Sequence, residues 1–414
     1  MRQLCITLLL ATLAASSVRG ATTQDLVEHA LAANPEIQFY EAEISAAKAG
    51  RKTAGQIANP DLSLEGSRKK ARSLINGAEE GDGPAWKAQI LQTLDFPGRI
   101  ALRKAIADRD ISLAELGLAQ FKAQLANEVR ARAGEVVLLR RQEAAARSVR
   151  KRFEELVAVL VQRDTGSVSA KLERRILEAS LLTSDRTLTD AGKEAQAAAT
   201  ALNVLCAYAP EKAVELSETI PVFPPTPGLE ALKTQAATSN FDLQQKRIEL
   251  ARQGLKIDLT KSERWGNITF GPYVAGERVD EKYKEGGVAV SIPLPLWNRN
   301  KGNIAAEQAR QSQAEALLAA TLRDLERDLV TERSAYAAEL DALSRWKPES
   351  EKEFRDAAED ADRHYRLGAV PIATYVEMQR QYLDAMQALI QTRRNAWKHR
   401  MALERLTGAP IKGR

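Results

Sequence analysis

Residues 288–306 read VAVSIPLPLWNRNKGNIAA. Val288, Val290, Ile292, Leu294 and Leu296 fall on one side of an alternating run, which is the period of a β-strand. Pro293, Pro295 and Trp297 follow within it, and Asn-Arg-Asn-Lys-Gly-Asn then opens a long helical pattern. A matching splice occurs at residues 88–105, AQILQTLDFPGRIALRKA, where Phe96-Pro97-Gly98 makes the turn. A strand running straight into a very long helix, twice in one chain, predicts a duplicated unit.

Self-comparison supports the duplication. At an offset of 206, NPEIQFYEAEISAAKA from Asn34 pairs with NFDLQQKRIELARQGL from Asn240, and NPDLSLEG from Asn59 reaches WGNITFGP from Trp265. Offsets of 201 and 202 align LQTLDFPGRI with IPLPLWNRNK, Gly166 with Gly368, and ALNVLC with ALERLT. Four matches in one order indicate a repeat. Each copy reads helix, strand, strand, long helix, turn, long helix. The first, residues 21–206, is expected to place helices at 24–57, 99–163 and 169–206, and strands at 60–67 and 85–96. The second, residues 229–414, is expected to place helices at 229–262, 300–367 and 371–407, and strands at 267–276 and 287–296. The join, 207–228, carries five prolines between Pro210 and Pro227 and reads as a linker.

The helices rest on spacing. Leu118, Phe121, Leu125 and Val129 step by three and four, as do Leu318, Leu322, Leu325 and Leu329. Such narrow apolar seams flanked by charge suit coiled coils. The strands alternate: Leu62 and Leu64 against Asp61, Ser63 and Glu65; Trp86, Ala88, Ile90, Leu94 and Phe96 against Lys87, Gln89, Thr93 and Asp95. About ten residues is the length a tilted strand needs to cross a bilayer. An antiparallel sheet packed on helices alternates equally well. Arg68–Ala85 and Glu277–Gly286, polar and glycine-containing, are expected to be the loops linking each strand pair.

Composition narrows the classes. The 414 residues are 44% hydrophobic, 5% aromatic and 28% charged, with a net charge of +5 spread through interleaved acids and bases. That balance suits long helices with solvated faces and argues against nucleic-acid binding. Residues 1–20 have a basic start, the apolar run Leu4–Ala15 and small residues before Ala21, which reads as a signal peptide. Cys5 lies inside the apolar run, so a lipid anchor is not expected. Cleavage would leave Cys206 as the single cysteine, with no intrachain disulfide. No later stretch has the roughly 18 continuous apolar residues of a membrane helix.

An exported chain with two helix–strand–strand–helix–helix copies resembles the TolC family of outer-membrane efflux channels. The resemblance spans essentially the whole mature chain. The Pro-Leu-x-x-Arg-Asn-x-Gly-x-Ile form of IPLPLWNRNKGNI is most similar to the heavy-metal branch, the outer-membrane partners of cobalt-zinc-cadmium and copper exporters. The resemblance implies a mainly α protein with a β-barrel part. Four strands per chain would contribute to a trimeric twelve-stranded outer-membrane barrel, continued by a coiled-coil tunnel through the periplasm of a Gram-negative bacterium. Its partners would be a periplasmic adaptor (a membrane fusion protein), an inner-membrane RND-type pump, outer-membrane lipid and the transported metal ions or small molecules. A channel for drugs, organic solutes or secreted polypeptides, and an exported coiled-coil scaffold without a pore, are the competing readings. Closure favours the shared barrel: four strands cannot close alone, eight from two chains would fill with side chains, and twelve leave a passage.

The same resemblance singles out residues. Thr165, Gly166 and Ser167, and Leu367, Gly368 and Ala369, sit at helix–helix turns that would face the adaptor; simple chain reversal accounts for their glycines as well. Thr374 and Glu377, six and nine residues past Gly368, match the tunnel entrance, where some members place two carboxylates; here only Glu377 is acidic. Three copies would make a negative ring, although a solvated helix residue is an equal alternative. Pro97, Gly98 and Arg99, with Asn298, Arg299, Asn300 and Gly302, form the strand-to-helix junctions, and Asn298 or Asn300 can cap the helix. Trp86, Phe96, Trp265 and Trp297 are candidates for an interfacial aromatic belt or for packing at the junction. His29, His364 and His399 form no metal-binding pair, and no nucleophile motif or phosphate loop occurs. No catalytic residue, cofactor or resident metal is expected; metal ions would be cargo.

Overall fold

The computed structural model describes residues 20–411, except 76, 162–166, 218–219, 280 and 348. The signal-peptide reading therefore lies outside the described residues, save Gly20.

Helix α1 (Thr23–Ala33) starts on a capping box: Thr22 Oγ1 accepts from the Asp25 amide at 3.2 Å, and Asp25 returns the bond to the Thr22 amide at 2.9 Å. It ends at Asn34, whose backbone is extended, and α2 (Glu36–Ala54) follows. A single helix over 24–57 is thus replaced by two. The physical reason is Pro35, which pushes the residue before it out of the helical region. The equivalent residue of the second copy, Asn240, is also extended and separates α5 (Leu229–Ser239) from α6 (Phe241–Ser262). Proline is absent there; the Asn240 side chain accepts from the Leu243 amide at 2.9 Å and starts a new helix as its N-cap.

The long helices differ between copies. Helix α3 (Arg99–Val161) is continuous over 63 residues, followed by α4 (Val168–Leu205). Its counterpart is broken into α7 (Lys301–Ser344) and α8 (Ser350–Arg366), and α9 (Ile372–Thr407) follows. The expected helix over 300–367 therefore has an interruption after Ser344. The sequence carries proline at 348, which cannot donate to the helical ladder.

The strands β1 (Asp61–Arg72), β2 (Glu79–Leu94), β3 (Ile268–Arg278) and β4 (Lys282–Ser291) form one antiparallel sheet in the order β1-β2-β3-β4. Each repeat supplies a hairpin, and β2–β3 pairing joins the two hairpins. The segments expected as long loops, 68–85 and 277–286, are largely strand. Their charge suggested solvent, yet it is paired across the ladder: Arg68 with Asp82 at 2.7 Å, Arg72 with Glu79 at 3.2 Å, and Lys69 with Glu277 at 2.7 Å. At the other end β4 stops at Ser291, five residues before the expected boundary. Pro293 and Pro295 lack the N–H that a ladder needs.

The chain divides into two compact units, Glu36–Gln120 with Thr238–Glu326, and the remainder. The first holds the sheet. The second has two apolar clusters. One joins α1 (Leu26, Val27, Ala30) to α3 around Val129 and to α4 at Leu202 and Cys206. The other packs α3 around Val149 and Phe153 against α8 and against Tyr375, Tyr382 and Ile390 of α9. Segment 207–228 is not slack within this unit. Tyr336 donates to Pro224 O at 2.7 Å, Arg333 to Pro227 O at 2.9 Å and Arg140 to Val214 O at 3.0 Å, while Ala21 bridges to Leu216.

A side chain at Gly271 of β3 would place its Cβ 1.8 Å from Ile90 O of β2, whereas Gly50 in α2 is exposed with nothing within 4 Å. Gly271→Val is expected to abolish β2–β3 pairing and leave little folded protein. Gly50→Ala is expected to raise stability by about 0.5–1 kcal/mol. Thermal unfolding followed by circular dichroism, with quantitation of folded protein, checks both.

Candidate functional site

Register sets the chemistry of the sheet. Leu62 pairs with Ile90, Trp86 with Gly276, Ala88 with Val274, and Phe270 with Val290, so even-numbered residues share one face across all four strands. That face is apolar and uncovered: Leu64 is 71% exposed, Val288 69%, and Leu62, Ile90, Phe270, Val274 and Val290 are exposed beside them. The odd-numbered face carries Ser63, Glu65, Lys69, Lys87, Gln89, Tyr273, Glu277 and Glu285. On it Lys87 lies over the Tyr273 ring, and the Thr93 and Thr269 hydroxyls meet at 3.2 Å. One greasy face and one wet face, with both end strands unpaired in the single chain, is the pattern of a sheet that borders lipid on one side and water on the other.

The junctions deliver this sheet into helices. In the first copy Gly98 takes a positive φ of 90° that disfavours a side chain, and α3 begins at once. Arg99 is buried, although sequence alone marked it only as a junction residue. Its guanidinium donates to Ser262 O at 2.8 Å, to Trp265 O and to Asn267 Oδ1. It thereby ties the start of α3 to the α6–β3 connection. Phe96 stacks on Trp265 with ring centroids 6.0 Å apart, so these two aromatics pack at the junction. Arg103 grips Asp95 through both oxygens, at 3.0 and 2.5 Å. That bond, opposed by burial, holds the Asp95 carboxyl below its ordinary value of 3.8.

The second junction uses asparagine. Asn300 has a positive φ of 59°, which asparagine tolerates better than most residues. Its amide donates to Asn298 Oδ1 at 2.9 Å, its side-chain amide donates to Thr260 O at 2.9 Å, and its side-chain oxygen accepts from Asn303 at 2.7 Å. Arg299 and Pro97 are exposed, and a Cβ added at Gly302 would meet no other part of the chain within 4 Å. Trp297 is 92% exposed and Trp86 49%; neither is packed like Phe96.

At the other end of the long helices lie the turns. Gly368, at φ 72°, closes α8: its amide donates to Tyr365 O and the Ala369 amide to His364 O, both at 2.9 Å. Leu367 is exposed, and Leu367–Ala369 line a groove with Leu156 and Leu160 of α3 and Glu173 of α4. Thr165 and Gly166 lie outside the described residues; Ser167 caps α4 by accepting from the Ala170 amide at 3.2 Å. Beneath the turn, Tyr375 is fully buried between the rings of Phe153 and Tyr365, a packing anchor that spacing alone did not mark. Thr374 and Glu377 are exposed on α9, outside the groove. Glu377 accepts from Gln381 at 2.7 Å and from Arg380 at 3.1 Å, and these bonds hold its carboxyl below the usual range.

Among the described residues no group of three or more His, Cys, Asp or Glu side chains could hold a metal ion, and no helix is long and apolar enough to cross a membrane. Cys206 is buried, which pushes its thiol up to about 11.

Relatives place this architecture. It is similar over 94% of the chain to the outer-membrane channel OprN, covering 90% of that chain with a TM-score of 0.73 at 18% identity. It is similar over 95% to CusC, covering 96% of it, with a TM-score of 0.69 at 15% identity. It is similar over 94% to the open MtrE outer-membrane channel of Neisseria gonorrhoeae, covering 89% of it, with a TM-score of 0.68 at 15% identity. The fold is that of an outer-membrane efflux channel. Residues 232–409 match the model of the outer membrane efflux protein family. In sequence it is 23% identical over 309 residues to the cobalt-zinc-cadmium resistance protein CzcC of Cupriavidus metallidurans, a match covering 72% of this chain and 68% of that one.

Arg99→Gln is expected to lower unfolding free energy by about 2–4 kcal/mol, because it strands carbonyls that a buried guanidinium satisfies. Urea unfolding in detergent measures this. The Asp95 carboxyl, depressed in the folded state, stabilises fully above its ordinary value of 3.8 and loses that contribution as pH falls through the lower folded value. Asp95→Asn should therefore flatten the acid limb of the stability–pH profile below pH 4 and cost stability at neutral pH.

Proposed function

We propose that three copies of this chain form the outer-membrane channel of a three-part efflux system that expels heavy-metal cations. The observation that carries the channel is the two-faced sheet with unpaired edges at β1 and β4. A bilayer leaves no open edge unsatisfied, so other chains must complete the ladder. Three chains supply twelve strands, enough for an aqueous lumen lined by the odd-numbered face. The metal cargo rests on the likeness to the cobalt-zinc-cadmium resistance protein and on the IPLPLWNRNKGNI junction.

In this reading the chain is exported by its first 20 residues to the outer membrane of a Gram-negative bacterium, without a lipid anchor, and its helices reach into the periplasm. An adaptor grips the turns at Thr165–Ser167 and Leu367–Ala369, and an inner-membrane pump supplies the energy. Trp297 and Trp86 sit at the membrane margins. Glu377, three copies around the axis, draws cations to the entrance, with Arg380 beside it tempering the charge.

Deletion of the gene is expected to sensitise cells to one or more of zinc, cobalt, cadmium, nickel, copper and silver; sensitivity to dyes and detergents alone would reject the metal cargo and keep the channel. In planar bilayers, Glu377→Gln should lower the cation-to-anion permeability ratio and Arg380→Gln should raise it. Unchanged ratios in both variants remove Glu377 from the pore.

A further inference from the structure

We infer that the lipid-facing side of the sheet carries, at its hairpin end, a docking surface for the phosphorylated headgroup of an outer-leaflet lipid. The inference rests on the membrane-barrel reading above. All four strands meet helices at one end and turn in hairpins at the other, so periplasmic helices put the hairpins outside. Below the hairpins the even-numbered face is apolar, as far as Trp86. The Trp86 ring lies across Gly276, where an added Cβ would meet its Nε1 at 2.9 Å. Immediately beyond Trp86 the same face changes to Arg68, Lys70, Arg278, Lys282 and Lys284, with Asp82 paired to Arg68.

Three features separate this cluster from ordinary solvated charge. First, sign is sorted by face. At the same level the opposite side carries Glu277 and Glu285 beside Lys69, and Lys69 is spent on Glu277 at 2.7 Å. Second, Arg278 stands directly opposite Lys282 in the β3–β4 ladder. Like charges facing each other across a ladder repel, at a backbone separation of about 5 Å. Among the described residues, the ion pairs of this region join Arg68 and Lys70 to Asp82 and Arg72 to Glu79, and Arg278, Lys282 and Lys284 take part in none of them. Third, the cations border an uncovered apolar band. A ligand that satisfies both is an amphiphile, with acyl chains on Ala88, Ile90, Val274 and Val288 and an anionic head above Trp86. A guanidinium fork flanked by two ammonium groups suits phosphate, which accepts several charge-assisted bonds at once.

The test uses full-length protein in detergent, with a bis-phosphorylated glucosamine lipid and its dephosphorylated form as probes, read by native mass spectrometry across a lipid titration. Wild type is expected to retain the phosphorylated lipid at least tenfold more tightly than the dephosphorylated one. Millimolar inorganic phosphate should not displace it. The triple substitution Arg278→Gln, Lys282→Gln, Lys284→Gln should weaken retention about a hundredfold, as three basic groups at an anionic lipid surface imply. Lys87→Gln, which removes a charge from the opposite face, should leave retention unchanged. Equal retention of both lipids by wild type, displacement by free phosphate, or undiminished retention by the triple variant overturns the inference. Resistance of membrane-bound protein to alkaline extraction separates the two readings. A wild type that alkali strips from membranes overturns the channel itself and this surface with it; one that stays embedded but fails the lipid titration overturns the lipid surface alone.

Discussion

Backbone hydrogen bonding in a medium without water is the constraint on which the rest depends. Within a bilayer every strand N–H and C=O needs a partner, and a four-stranded sheet leaves the outer edges of β1 and β4 without one. Duplication is a partial answer, because β2–β3 pairing joins two hairpins into one sheet and removes two of the four edges that separate hairpins would expose. In the proposed barrel the remaining two edges make assembly a condition of insertion. The division between apolar and polar faces, the placing of charge beyond Trp86 and the abrupt end of β4 before Pro293 all suit that proposed setting.

The passage from strand to helix shows how two copies of one unit solve the same problem with different chemistry. The first copy uses a glycine at positive φ, a buried guanidinium and an Arg103–Asp95 pair. The second uses asparagines, with Asn300 itself at positive φ and bonded to Asn298, Asn303 and Thr260. Both satisfy the orphan amides and carbonyls where a ladder ends and a helix begins. Geometry is shared, side chains are not, and the low identity between the copies is what such substitution of means produces.

Much of this was legible in the sequence, and the misses have physical causes. Alternation at Leu62, Ile90 and Val290 marked strands, and steps of three and four marked the helices. The hairpin ends were misread because Arg68, Lys69, Asp82 and Lys284 look like loop residues one at a time; only register shows that several of them pair across strands. The break at Asn34 was signalled by Pro35. The break at Asn240 has no comparable sign, since asparagine serves in a helix as well as at its cap. Burial of Arg99 and Tyr375 depends on which elements come together, and no local pattern encodes that. Glu377 stood out as a carboxylate, but its bonds to Gln381 and Arg380 became visible only on the folded helix.

The shared parity of the four strands bears on how such a chain can vary over evolutionary time. Substitution along a strand changes one side chain on one face. Loss or gain of a single residue between Asp61 and Leu64 would exchange faces for the rest of β1 and, in the proposed barrel, carry Glu65 or Lys69 into hydrocarbon. The register irregularity between Ala71 and Arg72 falls where that exchange is harmless, past the apolar band and next to the turn. Length can drift at the hairpin tips and at the helix interruptions, while the strands between them are held to a fixed count.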